Sequence, residues 1–545
     1  MSSEEIATAS VAPALSTAQN EDTFGLQKYD SVAIERACYL GPHAASDERN
    51  SVGNYHAVDE IVDFLKQNEK YRNITLQFPD SLIQDSSIVV QLLQEKLNMD
   101  SGTVKRRFWA LADTAYSACC VDEVAAEHAK GDLVIHFGDA CFKAVQSLPV
   151  VYSLGRPYLD LEEVAKKFSG IFDDKCRKIC LLADAPHTYI LSSLYEKLEE
   201  EGYENLIYGV VDEILVADTS VILQQKNDDN HSAKRIGNLG NRVLMTNKRD
   251  SKALEEDIIR EEFALFHITI PQDPHLLFLV TKFESVILYD PKDNTITEGP
   301  YPSLMKRYKN MHVARTAGCI GILVNTLSLR NTKEMINTLV KLIRDNGKKH
   351  YLFVVGKPNV AKLANFEPVD IWCILGCGQA GIILDQYNEF YKPIITPYEL
   401  TMALKEEVTW TGQWVVDFEK VLNEIAVNET EPCEERNESD EPEFDAVTGK
   451  YVSTSRPLRH IQHLEIEGPK ETESRSLIQK VNGGVIIKGT VSTAAASIQN
   501  REWTGLGSDF TAQDDYEEEG ATVQEGISGV ASSYEFDKLN SRNQS

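Results

Sequence analysis

The sequence predicts an α/β protein built from three parallel-sheet units, and three observations point there. From about residue 26 to 425, short apolar runs alternate with stretches whose apolar residues recur at helical spacing. Strand–helix–strand order of this kind forces right-handed crossovers, and so a mostly parallel sheet. At 545 residues the chain is also too long for one core, because single cores stop growing near ~250–300 residues. The pattern restarts twice, which divides the chain into 26–165, 166–300 and 301–425. A polar start, 1–25, reads as disordered, and 426–545 reads as an acidic, largely disordered tail.

In the first unit NITLQFPD (73–80), FWALAD (108–113), LVIHFG (133–138) and VVYSLG (150–155) read as buried strands. The intervening SSIVVQLLQEKL and VDEVAAEHAK read as helices, with Asp122 and Glu123 capping the second. KICLLADA (178–185) and the helix YILSSLYEKLEEEGY open the second unit. Residues 224–260 are polar and charge-rich and read as an insertion or long surface loop. LLFLV (276–280) and SVILYD (285–290) close that unit. The third runs from MHVARTAGCIGILVNT through the helix MINTLVKLIRDNG to the strands YLFVVG (351–356) and VDIWCILG (369–376). Beyond it, Thr396, Pro397 and Glu399 match a capping box at a helix start.

Composition narrows the function. No apolar run approaches the ~18–20 residues that cross a bilayer. The start lacks a basic segment followed by an apolar block, so a cytosolic protein is expected rather than a secreted one. A formal charge of −29 argues against a nucleic-acid groove, which needs clustered Lys and Arg. About 12 of those charges fall in 426–545, and 426–450 alone carries nine acidic residues, the mark of a linker. Two islands, RPLRHIQHLEI and SIQNREWTGLGSDF, interrupt the tail. Trp503 and Leu506 make 499–510 a docking segment.

Ten cysteines in this length form no disulfide framework, and the absence of any CxxC weakens a zinc-ribbon or thioredoxin reading. Their placement is informative. In DTAYSACCVDEVAAEHAKGDLVIHFGDAC (113–141), Cys119 and Cys120 follow one expected strand and Cys141 follows the next. The carboxyl ends of parallel strands share an edge, where ligands bind in such folds. Cys119 or Cys120 can therefore face a crevice together with Cys141. Cys377 follows VDIWCILG in the same way. Converging thiolates would make a soft site suited to iron–sulfur or zinc. The competing reading is that free cysteine packs as a small buried hydrophobe, and Cys176, Cys180, Cys319 and Cys373 are read as core. His136 is either an acid–base group or, more commonly for a strand-closing histidine, a hydrogen-bonded structural one. Gly138, Gly376 and Gly378 suit turns at the sheet edge. No phosphate-loop pattern follows a strand.

The cysteine segment, RYKNMHVARTAGCIGILVNT, VDIWCILGCGQAGIILDQYNEFYKPIITPYEL and REWTGLGSDF together resemble the diphthamide biosynthesis family, in the branch of the second subunit of the eukaryotic enzyme. The resemblance implies three similar α/β domains around a central [4Fe-4S] cluster. In the catalytic members S-adenosylmethionine binds at an open iron and yields a 3-amino-3-carboxypropyl radical, which adds to a histidine of translation elongation factor 2. Carried onto this chain, the first-domain ligand falls on Cys119 or Cys120 and the third-domain ligand on Cys377. The middle-domain ligand is missing, since no cysteine lies between Cys180 and Cys319. Cys141 is the best-placed substitute. Adjacent cysteines on an extended chain point apart, so one of the pair is expected to ligate, Cys120 with Cys119 as the alternative.

The resemblance thus implies an accessory [4Fe-4S] subunit with no catalytic residue of its own. Its expected partners are a paralogous catalytic subunit in a heterodimer, elongation factor 2 as substrate and an electron-donor protein, with no nucleic acid and no membrane. A metal-free scaffold subunit and a quinolinate-synthase-like lyase are the alternatives; the missing middle ligand and the TPYE and WTGL stretches disfavour the lyase.

Overall fold

The computed structural model describes residues 36–41, 47–98, 105–111, 117–143, 147–212, 219–223, 233–248, 256–299, 301–326, 328–405, 412–429 and 443–452, isolated positions beside these, and five short strands between 478 and 534. The expected disordered start (1–25) and docking segment (499–510, with Trp503 and Leu506) lie outside the described residues.

The first sheet contains β1 (Asn73–Gln77), β2 (Arg107–Ala110), β3 (Leu133–Phe137) and β4 (Val150–Ser153), all parallel, in the order β2-β1-β3-β4. Every residue of β3 and β4 is buried, as strands covered on both faces require. The helix Val58–Gln67 packs here through Val58, Ile61, Val62 and Leu65, an i, i+3, i+4, i+7 stripe.

The middle sheet is built on β5 (Ile179–Ala183) and β6 (Leu206–Val210). β7 (Val221–Ile222) instead returns to the first sheet and pairs with β4. Residues 234–246, which the sequence places in a surface loop, form an antiparallel hairpin of β8 (Lys234–Leu239) and β9 (Arg242–Thr246) that extends the middle sheet through β6. Ile236, Leu239, Val243 and Leu244 supply a buried face that charge density concealed. β10 (Ala264–Ile268), β11 (Ser285–Asp290) and β12 (Thr295–Thr297) complete the order β12-β11-β10-β5-β6-β9-β8.

LLFLV lies in the helix Asp273–Lys282, which Pro274 starts, and not in a strand. A short apolar run fits a buried helix as well as a strand. Cys176 is a second correction: it is exposed, in the turn before β5, with its N–H on Asp174 Oδ1 at 2.9 Å. Cys180, Cys319 and Cys373 are buried as expected.

The third sheet is β13 (Cys319–Val324), β14 (Lys349–Val354), β15 (Ile371–Leu375) and β16 (Ile394–Ile395), all parallel, in the order β14-β13-β15-β16. The capping box is present: Thr396 caps the helix Pro397–Ala403, and Glu399 reaches back to the Thr396 N–H. Glu399 is also the hub of a buried set, taking Arg307 Nε at 2.7 Å and Trp414 Nε1 at 3.0 Å. By itself, residues 461–545 show a three-stranded antiparallel sheet (Ile478–Val481, Gly484–Ile487, Thr490–Val491) and a hairpin (Gly529–Val530, Ser533–Tyr534). Among the described residues, no helix is long and apolar enough to cross a membrane.

Candidate metal centre

The carboxyl end of β1 sets the first loop. Gln77, 1% exposed, donates from Nε2 to Cys120 O at 2.7 Å and accepts the Asp122 N–H at 2.9 Å. Asp122 then caps the helix Glu123–His128 by accepting the Ala125 N–H at 2.9 Å. Glu123 does not cap; it is buried and takes Ser147 Oγ at 2.7 Å. β3 exits through Gly138 at φ +85°, a turn that suits glycine, and Cys141 N donates to Cys119 O at 3.0 Å. His136 is fully buried against Asp139 O at 3.1 Å, and burial lowers its pKa to about 4. Burial thus favours its neutral form.

Cys377 stands two residues past β15 in a loop closed on itself. Gly381 N donates to Cys377 O at 2.7 Å, and Asn325, just past β13, donates to Gly381 O at 2.8 Å. Gly376 is needed for this close approach, not for a left-handed turn: a Cβ there would stand 2.3 Å from Gly381 O. At Gly378 the neighbour would be Val416 Cγ2, at 2.5 Å.

These loops bring four thiols together, all ligand atoms lying within 4.8 Å of one another. Cys119 Sγ is 3.7 Å from Cys377 Sγ and 4.0 Å from Cys120 Sγ, which is 3.8 Å from Cys141 Sγ. The expectation that one of the adjacent pair turns away is not met. Residues 118–120 form a turn, with Cys120 N on Ser117 O at 3.0 Å, so the alternation of an extended chain does not apply. All four residues are at most 5% exposed. Hydrogen bonds from the other thiols, Cys119 foremost, hold Cys377 well below the usual cysteine range, with the Gln379 N–H adding at 3.4 Å. The hydrogen bond with Cys120 pushes Cys119 well up.

The middle sheet contributes no sulfur but does contribute hydrogen bonds. Asn241, in the β8–β9 turn, donates to Gln379 Oε1 at 2.9 Å and to Ala140 O at 3.4 Å. Gln379 Nε2 bonds Asp139, whose other oxygen takes the Ala185 N–H at 3.0 Å. Burial, opposed by Arg242, raises the Asp139 pKa to about 6. One polar chain thus joins the Cys141 loop, the Cys377 loop and the middle sheet. Sequence reasoning missed Gln77, Asn241, Asn325 and Gln379. Only Gln379, two residues after Cys377, carried a positional signal. Two cavities flank the quartet: one of about 460 Å³ bordered by Cys141, Cys377 and Trp414, another of about 550 Å³ bordered by Cys119, Arg242 and His267.

A family model for diphthamide synthesis proteins matches residues 78–415. The 2-(3-amino-3-carboxypropyl)histidine synthase subunit 2 of Candida glabrata is 56% identical over 547 residues, covering 99% of this chain and 98% of that one. Its counterpart in Kluyveromyces lactis is 52% identical over 589 residues, covering 98% and 99%. A crystal structure of Dph2 from Pyrococcus horikoshii with a 4Fe-4S cluster gives a TM-score of 0.47 at 20% identity, covering 65% of this chain and 93% of that one.

Proposed function

Because the chain belongs to the diphthamide synthesis protein family, we propose that it is the accessory [4Fe-4S] subunit of a cytosolic heterodimer. That enzyme transfers a 3-amino-3-carboxypropyl group from S-adenosylmethionine to a histidine of elongation factor 2. Relatives named as subunit 2 of the histidine synthase, alike over nearly the whole chain, support the assignment.

The donor set suits the cofactor. Four buried sulfurs and, among the described residues, no oxygen or nitrogen ligand grouped with them form a soft site, and each iron of a [4Fe-4S] cluster takes one thiolate. The cavities on both sides give the cysteine side chains room to swing apart around a cluster. When bound, such a cluster supplies one-electron redox chemistry. Gln77, Asn325 and the Asn241–Gln379–Asp139 chain hold the three cysteine loops in register.

The fourth thiol is the observation that carries the accessory role. Three cysteines would leave one iron open, which is what adenosylmethionine requires in the catalytic members. With Cys119 and Cys120 both facing the centre beside Cys141 and Cys377, every iron can be capped. Chemistry then falls to the paralogous subunit, and this centre serves to pass it electrons received from a donor protein.

One observation favours a second reading, a single tetrahedral ion. Metal–sulfur bonds of ~2.3 Å put tetrahedral sulfurs about 3.8 Å apart, close to the 3.7, 3.8 and 4.0 Å found here.

Anaerobic reconstitution of the heterodimer with C120S or C377S tests the accessory role. Transfer should slow with a protein reductant and recover with a strong chemical one. Undiminished transfer under both conditions would make the chain a metal-free scaffold. Complete loss even with the chemical reductant would move catalysis to this centre.

A further inference from the structure

β14 is anomalous for a parallel strand. Strands of purely parallel sheets are normally covered on both faces, yet β14 lies at the sheet's edge with Lys349, Tyr351, Leu352 and Val354 exposed. Tyr351 is 49%, Leu352 50% and Val354 60% exposed, and they alternate between the two faces. Phe366, 37% exposed, adds to this surface by packing on Phe353 with ring centroids 4.4 Å apart. Opposite β13 the backbone ladder of β14 continues in no strand among the described residues. Natural sheets blunt such an edge or cover it, since it templates pairing with another chain.

Charge identifies what covers it. The chain carries −29 overall, but the exposed residues of 341–367 include five basic ones (Lys341, Arg344, Lys349, Lys357, Lys362) against two acids (Asp345, Glu367), a local balance of +3. A second copy of this chain would bring two such basic edges together, and like charges across an interface are unfavourable. We propose that the β14 edge is the docking surface for the companion subunit, which adds a strand edge flanked by acidic side chains. Tyr351, Leu352 and Val354 are the apolar anchors, and the flanking lysines set orientation. The identity of the occupant rests on the heterodimeric function proposed above; the surface itself rests on exposure, edge position and charge.

The test co-expresses the full chain with the catalytic subunit and compares the unaltered protein with L352D/V354D. Trp109→Asp, on the exposed edge strand of the first sheet, is the control. Association should weaken roughly 30-fold or more in L352D/V354D and stay unchanged in W109D. The amides of Lys349, Tyr351 and Phe353 point to β13, so the readout is His350, Leu352 and Val354, whose amides point to the open edge. In the unaltered pair, hydrogen exchange at His350, Leu352 and Val354 should slow on assembly, a readout independent of how the variant folds. Assembly of L352D/V354D at parental affinity, or no added protection at His350, Leu352 and Val354, overturns the surface and leaves the heterodimer standing. Protection of these three amides in the isolated chain overturns it too, by showing the edge covered by the chain itself or by a second copy. Failure of the unaltered subunits to associate overturns the functional proposal, and this occupant with it.

Discussion

Gly376→Ala is the substitution expected to damage the centre most while removing no ligand. The added Cβ would lie 2.3 Å from Gly381 O and 2.8 Å from Gly381 C. That is about 1 Å inside the ~3.3 Å of even a close carbon–oxygen contact. Both groups are backbone, so no side-chain rotation relieves the clash. Gly381 cannot retreat freely either, because its N–H bonds Cys377 O at 2.7 Å and its carbonyl takes Asn325 at 2.8 Å. Overpacking costs about 1–3 kcal/mol where side chains can adjust, so a backbone clash belongs at or above the upper end. About 3 kcal/mol corresponds to a fall of ~6–12 °C in thermal midpoint for a domain of this class. Moving Gly381 moves Cys377, so iron binding should fall with stability. The control is Gly53→Ala in the helix Glu48–Tyr55, where the new Cβ meets only Leu92 Cδ1, at 3.4 Å. Relief of glycine's helix penalty should there add about 0.5–1 kcal/mol. Iron per chain and thermal midpoint after anaerobic purification are the assay. G376A with parental iron and parental midpoint would refute the reasoning.

Three other outcomes follow from the geometry. Glu399→Gln leaves the buried Arg307 guanidinium without its carboxylate and should cost about 3–5 kcal/mol in denaturant unfolding; a cost under about 1 kcal/mol would show that the pair is dispensable. Asn241→Ala removes two bonds between cysteine loops and should speed metal loss to a chelator by about tenfold, from ~1–2 kcal/mol of lost positioning, with the thermal midpoint little changed; equal loss rates would contradict its role. Acid should destabilise the metal-free chain. His136 and His267 are held neutral by burial at about 4, against an ordinary 6.5. Their contribution is present above the unfolded value and is lost as pH falls towards the folded one, roughly 2 kcal/mol each by pH 5. Asp139, raised to about 6, works the other way, gaining roughly 1.3 kcal/mol as pH falls from 7 to 5. Net loss should therefore be roughly 2–3 kcal/mol between pH 7 and 5; denaturation midpoints that rise over this range would reverse the sign.

The positions of Cys141 and Cys377 were legible because each follows a strand whose residues are apolar enough to be buried on both faces, and parallel strands present their carboxyl ends on one edge. The meeting of first and third sheets at that edge came from family resemblance, since no local pattern encodes how sheets face each other. The orientation of Cys119 and Cys120 was misjudged because the rule for extended chains was applied to what is a turn. LLFLV went wrong because five apolar residues carry no period. The β8–β9 hairpin was hidden by its charges, and Asn241 with it: a turn asparagine shows its partner only once the sheet is folded against the Cys377 loop.

Iron and acid-labile sulfide in the unaltered chain, isolated without oxygen, bear most directly on the central claim. A brown protein with about four irons and four sulfides per chain is predicted, falling together in variants of Cys120, Cys141 and Cys377. One metal ion per chain with no sulfide, or a colourless metal-free protein, would contradict it.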